Sequence, residues 1–362
     1  MLFNKIKFPR FIFGAVFFVL TLTGQAEAKP EKVLLDTDIT DLFDDGIAMM
    51  MLATSPKTEI MGVTVVTGNT WTEDGAASAI RQLSGLGIKN IPVAMGSTPK
   101  SLKERYQDIK KELALFGRGP DSFLGAAGYA EPKDWRSAYI KRYGDEPPFA
   151  PINENAVDFI IRTIKENPGE VTIAAIGPLT NIDEAIKKAP EIVALTKRII
   201  YMGGAFFKPG NVTPAAELNI WMNPTAAKAV VRAPWKEQMF LSLDACEKIQ
   251  LSRDELLSLR HKIKKPLFAS MMDTHYWMHE IKNGATSIYI WDILVAAVII
   301  SPETVTNEIK LPIDVNDVYS PSYGQTLAYR EQRPNGAQNA RIVLATDRNT
   351  IIDMLRNLFD KL

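Results

Sequence analysis

Cysteine and histidine are nearly missing from this chain of 362 residues, which holds one Cys (Cys246) and three His (His261, His275, His279). A lone cysteine excludes an internal disulfide and a thiolate metal centre. Excess charge of one sign is also missing, because 42 Lys and Arg face 42 Asp and Glu. That balance removes the electrostatic case for nucleic acid or an anionic membrane as partner. Beyond the first 28 residues no apolar run is long enough to span a bilayer. Internal repeats and low-complexity tracts are absent as well.

The N-terminus is different in kind. Lys5, Lys7 and Arg10 precede the apolar run Phe11–Thr23, and Ala26-Glu27-Ala28 follows with small residues at the spacing of a processing site. This pattern predicts a cleaved signal peptide over residues 1–28 and an exported protein, periplasmic or secreted. The mature chain would begin near Lys29, without a membrane partner. It would carry 39 basic and 41 acidic residues, since three of the former and one of the latter lie in the leader. About 334 residues can bury a large core without disulfides.

Along the mature chain short apolar runs alternate with helical patterns. KVLLDT, EIMGVTVVT, IPVAMG, VTIAAIG, RIIYMGG and QMFLSL read as buried strands. Amphipathic stretches at Asp74–Leu86, Glu154–Glu166, Leu179–Lys188 and Pro224–Arg232 read as the helices between them. The alternation predicts an α/β fold with a mostly parallel open sheet covered by helices on both faces. Residues 29–362 are expected to form one domain. Residues 101–151, rich in charge, Gly and Pro, read as an insertion or lid. Residues 252–286 read as helical and carry all three histidines.

VLLDTDITDLFDDGIA (Val33–Ala48) places five carboxylates, Asp36, Asp38, Asp41, Asp44 and Asp45, at the end of the first strand with no base among them. In parallel sheets ligands sit beyond the carboxyl ends of the strands. DTDIT fits the DxDxT signature of haloacid-dehalogenase-like phosphatases, in which Asp36 would attack phosphorus. That fold also needs a late acidic pair, whereas Asp292 stands alone. A solvated loop and helix N-terminus would explain Asp41 by itself. Five clustered anions repel unless a cation neutralises them, so the set points to a hard, oxygen-ligated ion, Ca²⁺ or Mg²⁺. Further oxygen ligands are available at Asn69 in VVTGNT, in the Gly-Pro turn of AAIGPLTN, at Asn211, Glu217 and Asn219 in the loop 202–224, and at Asp292.

This ordered set resembles the inosine–uridine-preferring nucleoside hydrolase family over essentially the whole mature chain, with DxD…DD and NVTPAAExN its most specific parts. The resemblance implies a Rossmann-like core and Ca²⁺-dependent cleavage of ribonucleosides to free base and ribose. It implies Asp38, Asp45, Asp292 and the Ile176 carbonyl as calcium ligands. Asp38 would double as general base on the attacking water. Asp44, Asn69 and Asn219 would grip the 2′- and 3′-hydroxyls, and Asn211 and Glu217 the 5′-hydroxyl. The partner would be a small ribonucleoside; homo-oligomerisation is left open.

Three departures stand out. In the longer loop form DTDIGxDxDD, Thr40 replaces Gly and Leu42 replaces Asp, so backbone strain would fall on Thr40 if φ > 0 is needed there, with Asp41 as a compensating outer anion. Asn223 stands where Asp is common, a structural change. Trp291 stands where many members carry a proton-donating His, which resembles the purine-preferring branch and implies a stacking indole. His275 and His279 are the remaining proton-donor candidates, each read first as a surface helix residue. Trp71 and Trp277 are candidates for a second stacking wall, each read first as core packing; Trp221 reads as structural. The missing His and Gly keep open a non-catalytic nucleoside- or sugar-binding protein on the same fold.

Overall fold

Each predicted apolar run is a strand in the computed structural model, which describes residues 29–98, 100–115 and 123–362. The expected leader, residues 1–28, lies outside the described residues, as does 116–122 of the expected insertion. The strands are β1 (Glu31–Thr37), β2 (Thr58–Val65), β3 (Val93–Met95), β4 (Val171–Ala175), β5 (Arg198–Met202) and β6 (Gln238–Leu241). They lie parallel in the order β3-β2-β1-β4-β5-β6. The inner strands read as continuous apolar runs because both faces are covered: Val33–Thr37 and all of β4 and β5 are buried.

The strand order reverses between β1 and β4. Chains leaving these neighbours pass to opposite sides of the sheet and open a crevice at their carboxyl ends, the place where doubly wound sheets bind ligands. DTD ends β1 and Ile176-Gly177-Pro178 follows β4, so the acidic stretch lies at this switch point. Helices 44–54, 72–85, 293–300 and 348–359 share one core, and helices 156–166, 180–188 and 224–232 share the other.

Three features were not read from the sequence. β7 (Gln250–Ser252) and β8 (Ser287–Tyr289) form a small antiparallel pair. β9 (Val305–Val315), β10 (Thr326–Ala328) and β11 (Gln338–Thr346) extend the main sheet, with β11 parallel to β6 and the others antiparallel. β9 is half-exposed over much of its length, so it lacks the apolar signature of the inner strands. The third is the helix Ile293–Ile300, whose ILVAAVII is apolar all round and buried from Ile293 to Ile299, which hides its helical period. Residues 101–151 include helices Lys100–Leu115 and Trp135–Tyr143. Among the described residues no helix is long and apolar enough to cross a membrane.

Candidate active site

Asp44 and Asp45 occupy the first turn of helix 44–54, and Asp292 is the residue before helix 293–300. These helices pack together, so two positive helix ends converge on the carboxylates. One carboxylate oxygen from each of Asp44, Asp45 and Asp292 lies within 4.8 Å of the others, and all three residues are buried. Asp38, fully buried at the end of β1, lies within hydrogen-bonding reach of Asp45, which also reaches Asp292. Four of the predicted acidic residues are thus brought together. Asp44 differs from expectation, since it belongs to the carboxylate cluster and also accepts from the backbone N–H of Trp291 (2.9 Å) and Asp292 (3.1 Å).

The surrounding bonds fix the carboxylates without neutralising them. Asp38 Oδ2 accepts from the Asn69 N–H at 2.6 Å, and Asp45 Oδ1 from the Thr37 hydroxyl at 2.5 Å. Asn69 Nδ2 lies 3.5 Å from Asp45 Oδ2, so Asn69 bridges the two acids. Gly68 and Gly177 flank Asp38 so closely that a Cβ on either would crowd its carboxylate. No basic side chain pairs with Asp38, Asp44, Asp45 or Asp292 among the described residues. Burial raises Asp38 and Asp44 to about 7, aided for Asp44 by Asp45, and drives Asp45 and Asp292 well above the usual carboxylate range. Asp38 Oδ1, Asp44 Oδ1 and Asp292 Oδ1 are buried without any hydrogen-bond partner. Buried orphan oxygens converging in an anionic, all-oxygen cluster fit a hard divalent cation.

The other predicted residues border the same space. Asn219 Nδ2 donates to the Ile176 carbonyl (3.2 Å) and the Met202 carbonyl (3.1 Å), which ties the loop 202–224 to the turn after β4. Glu217 is buried and accepts from the N–H groups of Gly204 (2.9 Å), Asn219 (3.0 Å) and Ile220 (3.3 Å), so its carboxylate shapes the loop it sits in. Asn211 is exposed, and its Oδ1 accepts from the Leu218 N–H at 3.1 Å. Asn223 is structural as expected: its Oδ1 caps helix 224–232 through the Ala226 N–H.

A cavity of about 1490 Å³ opens over the cluster. One wall is polar (Asp44, Asn69, Asn211, Glu217, Asn219, Asp292) and another aromatic, with Trp291, Tyr289, Phe43, Tyr276 and His275. Tyr289 stacks on Trp291 with centroids 5.6 Å apart, and Phe43 leans on Trp291 at 6.4 Å. His275 is buried rather than on the helix surface, its Nδ1 accepts from the Trp277 N–H at 3.1 Å, and burial lowers it to about 4. The neutral ring therefore carries its proton on Nε2, which has no partner. His279 instead pairs with Asn283 on the exposed helix surface.

Three expectations need correction. Asp36 cannot attack phosphorus, because it lies fully buried beneath the cavity, bonded to Thr64 (2.6 Å) and Asn181 (2.8 Å). Positive φ falls on Leu42 (+50°), not on Thr40. Asp41 does not cap helix 44–54, whose N-cap Phe43 has no side-chain bond; it binds Tyr143 and Arg142. Trp71 and Trp277 take the expected core-packing role, and Trp221 is structural as expected, its indole donating to Glu112 at 2.9 Å. Phe43, Tyr276, Tyr289 and Gln82 were missed, since no local pattern marks an aromatic or amide whose partners are remote in sequence.

Known proteins support the same architecture. The Arabidopsis thaliana protein named uridine nucleosidase 1 is 32% identical over 285 residues, 78% of each chain. A solved plant nucleoside hydrolase superposes with a TM-score of 0.74 at 24% identity, covering 91% of this chain and 99% of that one. A purine-preferring ribonucleoside hydrolase from Gardnerella vaginalis gives a TM-score of 0.70 at 25% identity, covering 91% and 99%. The profile of the family described as inosine-uridine preferring nucleoside hydrolase matches residues 33–353, so the chain belongs to that family.

Proposed function

We propose that this protein is a Ca²⁺-dependent ribonucleoside hydrolase that favours purine nucleosides and works after export. The observation that carries the cation is the set of three orphaned, buried carboxylate oxygens on Asp38, Asp44 and Asp292. Asp38, Asp45, Asp292 and the Ile176 carbonyl would hold the ion. Oxygen-only ligation with several carboxylates suits Ca²⁺. When bound, the ion supplies positive charge that orients ribose hydroxyls and acidifies a nearby water.

The protein groups then divide the work. Asp44, Asn69 and Asn219 position the 2′- and 3′-hydroxyls, while Asn211 and Glu217 lie toward the 5′-hydroxyl. A water oxygen forms a bond to C1′ as the N-glycosidic bond breaks, and the bonding pair leaves with the base nitrogen. Asp38 takes the water's proton, and a second proton reaches the departing base. The sugar passes through an oxocarbenium-like state, which the surrounding carboxylates stabilise.

The aromatic wall supports base stacking, with Trp291 the central indole; Trp291 Nε1–H and His275 Nε2–H are neutral donors without partners on residues that line the same cavity. The wall's extent suits a purine. Uridine is the second reading, favoured by the 32% identity to the Arabidopsis uridine nucleosidase. Comparing kcat/KM for inosine and uridine, with free ribose as readout, tests both. A higher value for uridine overturns the purine preference. Tight nucleoside binding without any ribose release overturns hydrolysis and identifies a binding protein.

A further inference from the structure

Asp36 and Asp41 are the carboxylates of the acidic stretch outside the cluster; Asp36 is buried beneath the cavity, whereas Asp41 borders it beside Arg142 and Tyr143. We propose that Asp41 is a positioning residue: with Arg142 and Tyr143 it anchors the loop 40–43 to helix 135–143 and thereby sets the placement of Asp44 and Asp45. This rests on the reading of the carboxylate cluster as a cation site.

The loop needs an external hold. Leu42 adopts φ +50°, a left-handed conformation that a branched, fully buried leucine reaches only when its surroundings impose it. Gln82, fully buried on helix 72–85, grips the backbone on both sides: its Oε1 accepts from the Leu42 N–H at 3.1 Å and its Nε2 donates to the Thr40 carbonyl at 3.0 Å. The residue between these two contacts is Asp41. Its Oδ1 accepts from the Tyr143 hydroxyl at 2.5 Å, and its Oδ2 pairs with Arg142 Nε at 2.9 Å.

The anchors are themselves braced. Tyr143 also reaches the Ser78 hydroxyl at 3.3 Å, and Arg81 lies over its ring at 5.0 Å. Arg81 in turn donates to the Tyr139 hydroxyl at 3.1 Å and to Asp145 at 2.8 Å. Helix 135–143 is thereby locked to helix 72–85, and Asp41 is the loop's side-chain tie to that pair. Two peptide units separate Asp41 from Phe43, and Asp44 follows directly. Releasing Asp41 therefore lets the strained loop relax and carries the first turn of helix 44–54 with it. The strain lies at Leu42, and this chain holds it with Gln82 of helix 72–85 and with Arg142 and Tyr143 of helix 135–143.

Calcium titration calorimetry on the protein tests the anchor without relying on turnover. Asp41→Ala should weaken calcium binding about tenfold or more, the usual cost of losing an outer support of a metal site. Tyr143→Phe should weaken it a few-fold. The double variant Asp41→Ala/Tyr143→Phe should bind within twofold of Asp41→Ala alone, because both changes break one tie. Arg136→Ala, on helix 135–143, which removes an exposed pair with Glu146 beyond the helix's end, should bind like the parent. In ribose-release assays the loss should be largely recovered at saturating calcium. Parent-like affinity in Asp41→Ala, or multiplied losses in the double variant, overturns the anchor. Should Asp41→Ala fail to fold, unchanged affinity in Tyr143→Phe overturns it equally. A parent that binds no calcium overturns the cation reading and the anchor with it, whereas a parent that binds normally beside unaffected variants overturns the anchor alone.

Discussion

Removing the cation should make the folded protein less stable as pH rises through neutrality. Burial lifts Asp36, Asp38 and Asp44 from an ordinary 3.8 to about 7. Their folded-state values exceed the unfolded ones, so the native state binds more protons between the two values and stability falls as pH increases. From pH 6.5 to 8 the unfolded carboxylates are already ionised. A native group titrating near 7 then costs a little under about 1 kcal/mol, and three such groups together cost roughly 2 kcal/mol. His275, lowered to about 4, works in the opposite sense: its unfolded imidazole is half protonated at pH 6.5, so it offsets less than about half a kcal/mol of this loss. For a chain of this size roughly 2 kcal/mol lowers Tm by about 4 °C. Scanning calorimetry in chelator at pH 6.5 and 8 reads the difference. Calcium should raise Tm more at pH 8 than at 6.5, because it competes with protons for the same oxygens. Asp38→Asn should remove its own share of the pH slope. A chelated Tm that is flat or rising over this window would refute the burial argument.

Three further outcomes follow from the site. Asp38→Asn should lower kcat for ribose release about 10²–10⁴-fold at saturating calcium, the range for a lost general base. Trp291→Ala should reduce kcat/KM for inosine roughly tenfold and reduce that for uridine less, since an indole overlaps a purine more fully; equal losses would count against stacking. His275, neutral across the physiological range, should leave kcat without an alkaline limb near pH 7. Such a limb, present in the parent and absent in His275→Ala, would make His275 the proton donor.

The sequence exposed those parts of the fold whose cause is local. Strands β1 to β6 are buried on both faces and therefore appear as apolar runs, and their predicted positions agree with the structure. β9 is half-exposed and joins the sheet only through pairing with β11, so no periodic pattern announced it. The site follows the same division. Asp38, Asp44, Asp45 and Asp292 are readable because each ends a strand or opens a helix beside an apolar run, whereas the roles expected of Asn69, Glu217 and Asn219 come from the family resemblance. The inclusion of Asp44 in the cluster depends on where helix 293–300 packs. The strain at Leu42 and the partners of Asp41 depend on Gln82, Arg142 and Tyr143, which are 40 to 102 residues away. Those contacts exist only after the helices have docked.

The most direct measurement is ribose release from inosine and uridine by chelator-treated protein, before and after calcium is restored. Release should be abolished by the chelator, return with calcium, and stay about 10²–10⁴-fold lower in Asp38→Asn even with calcium restored. Undiminished release in chelator would contradict the cation's role, and no ribose from either nucleoside with calcium present would contradict hydrolysis itself.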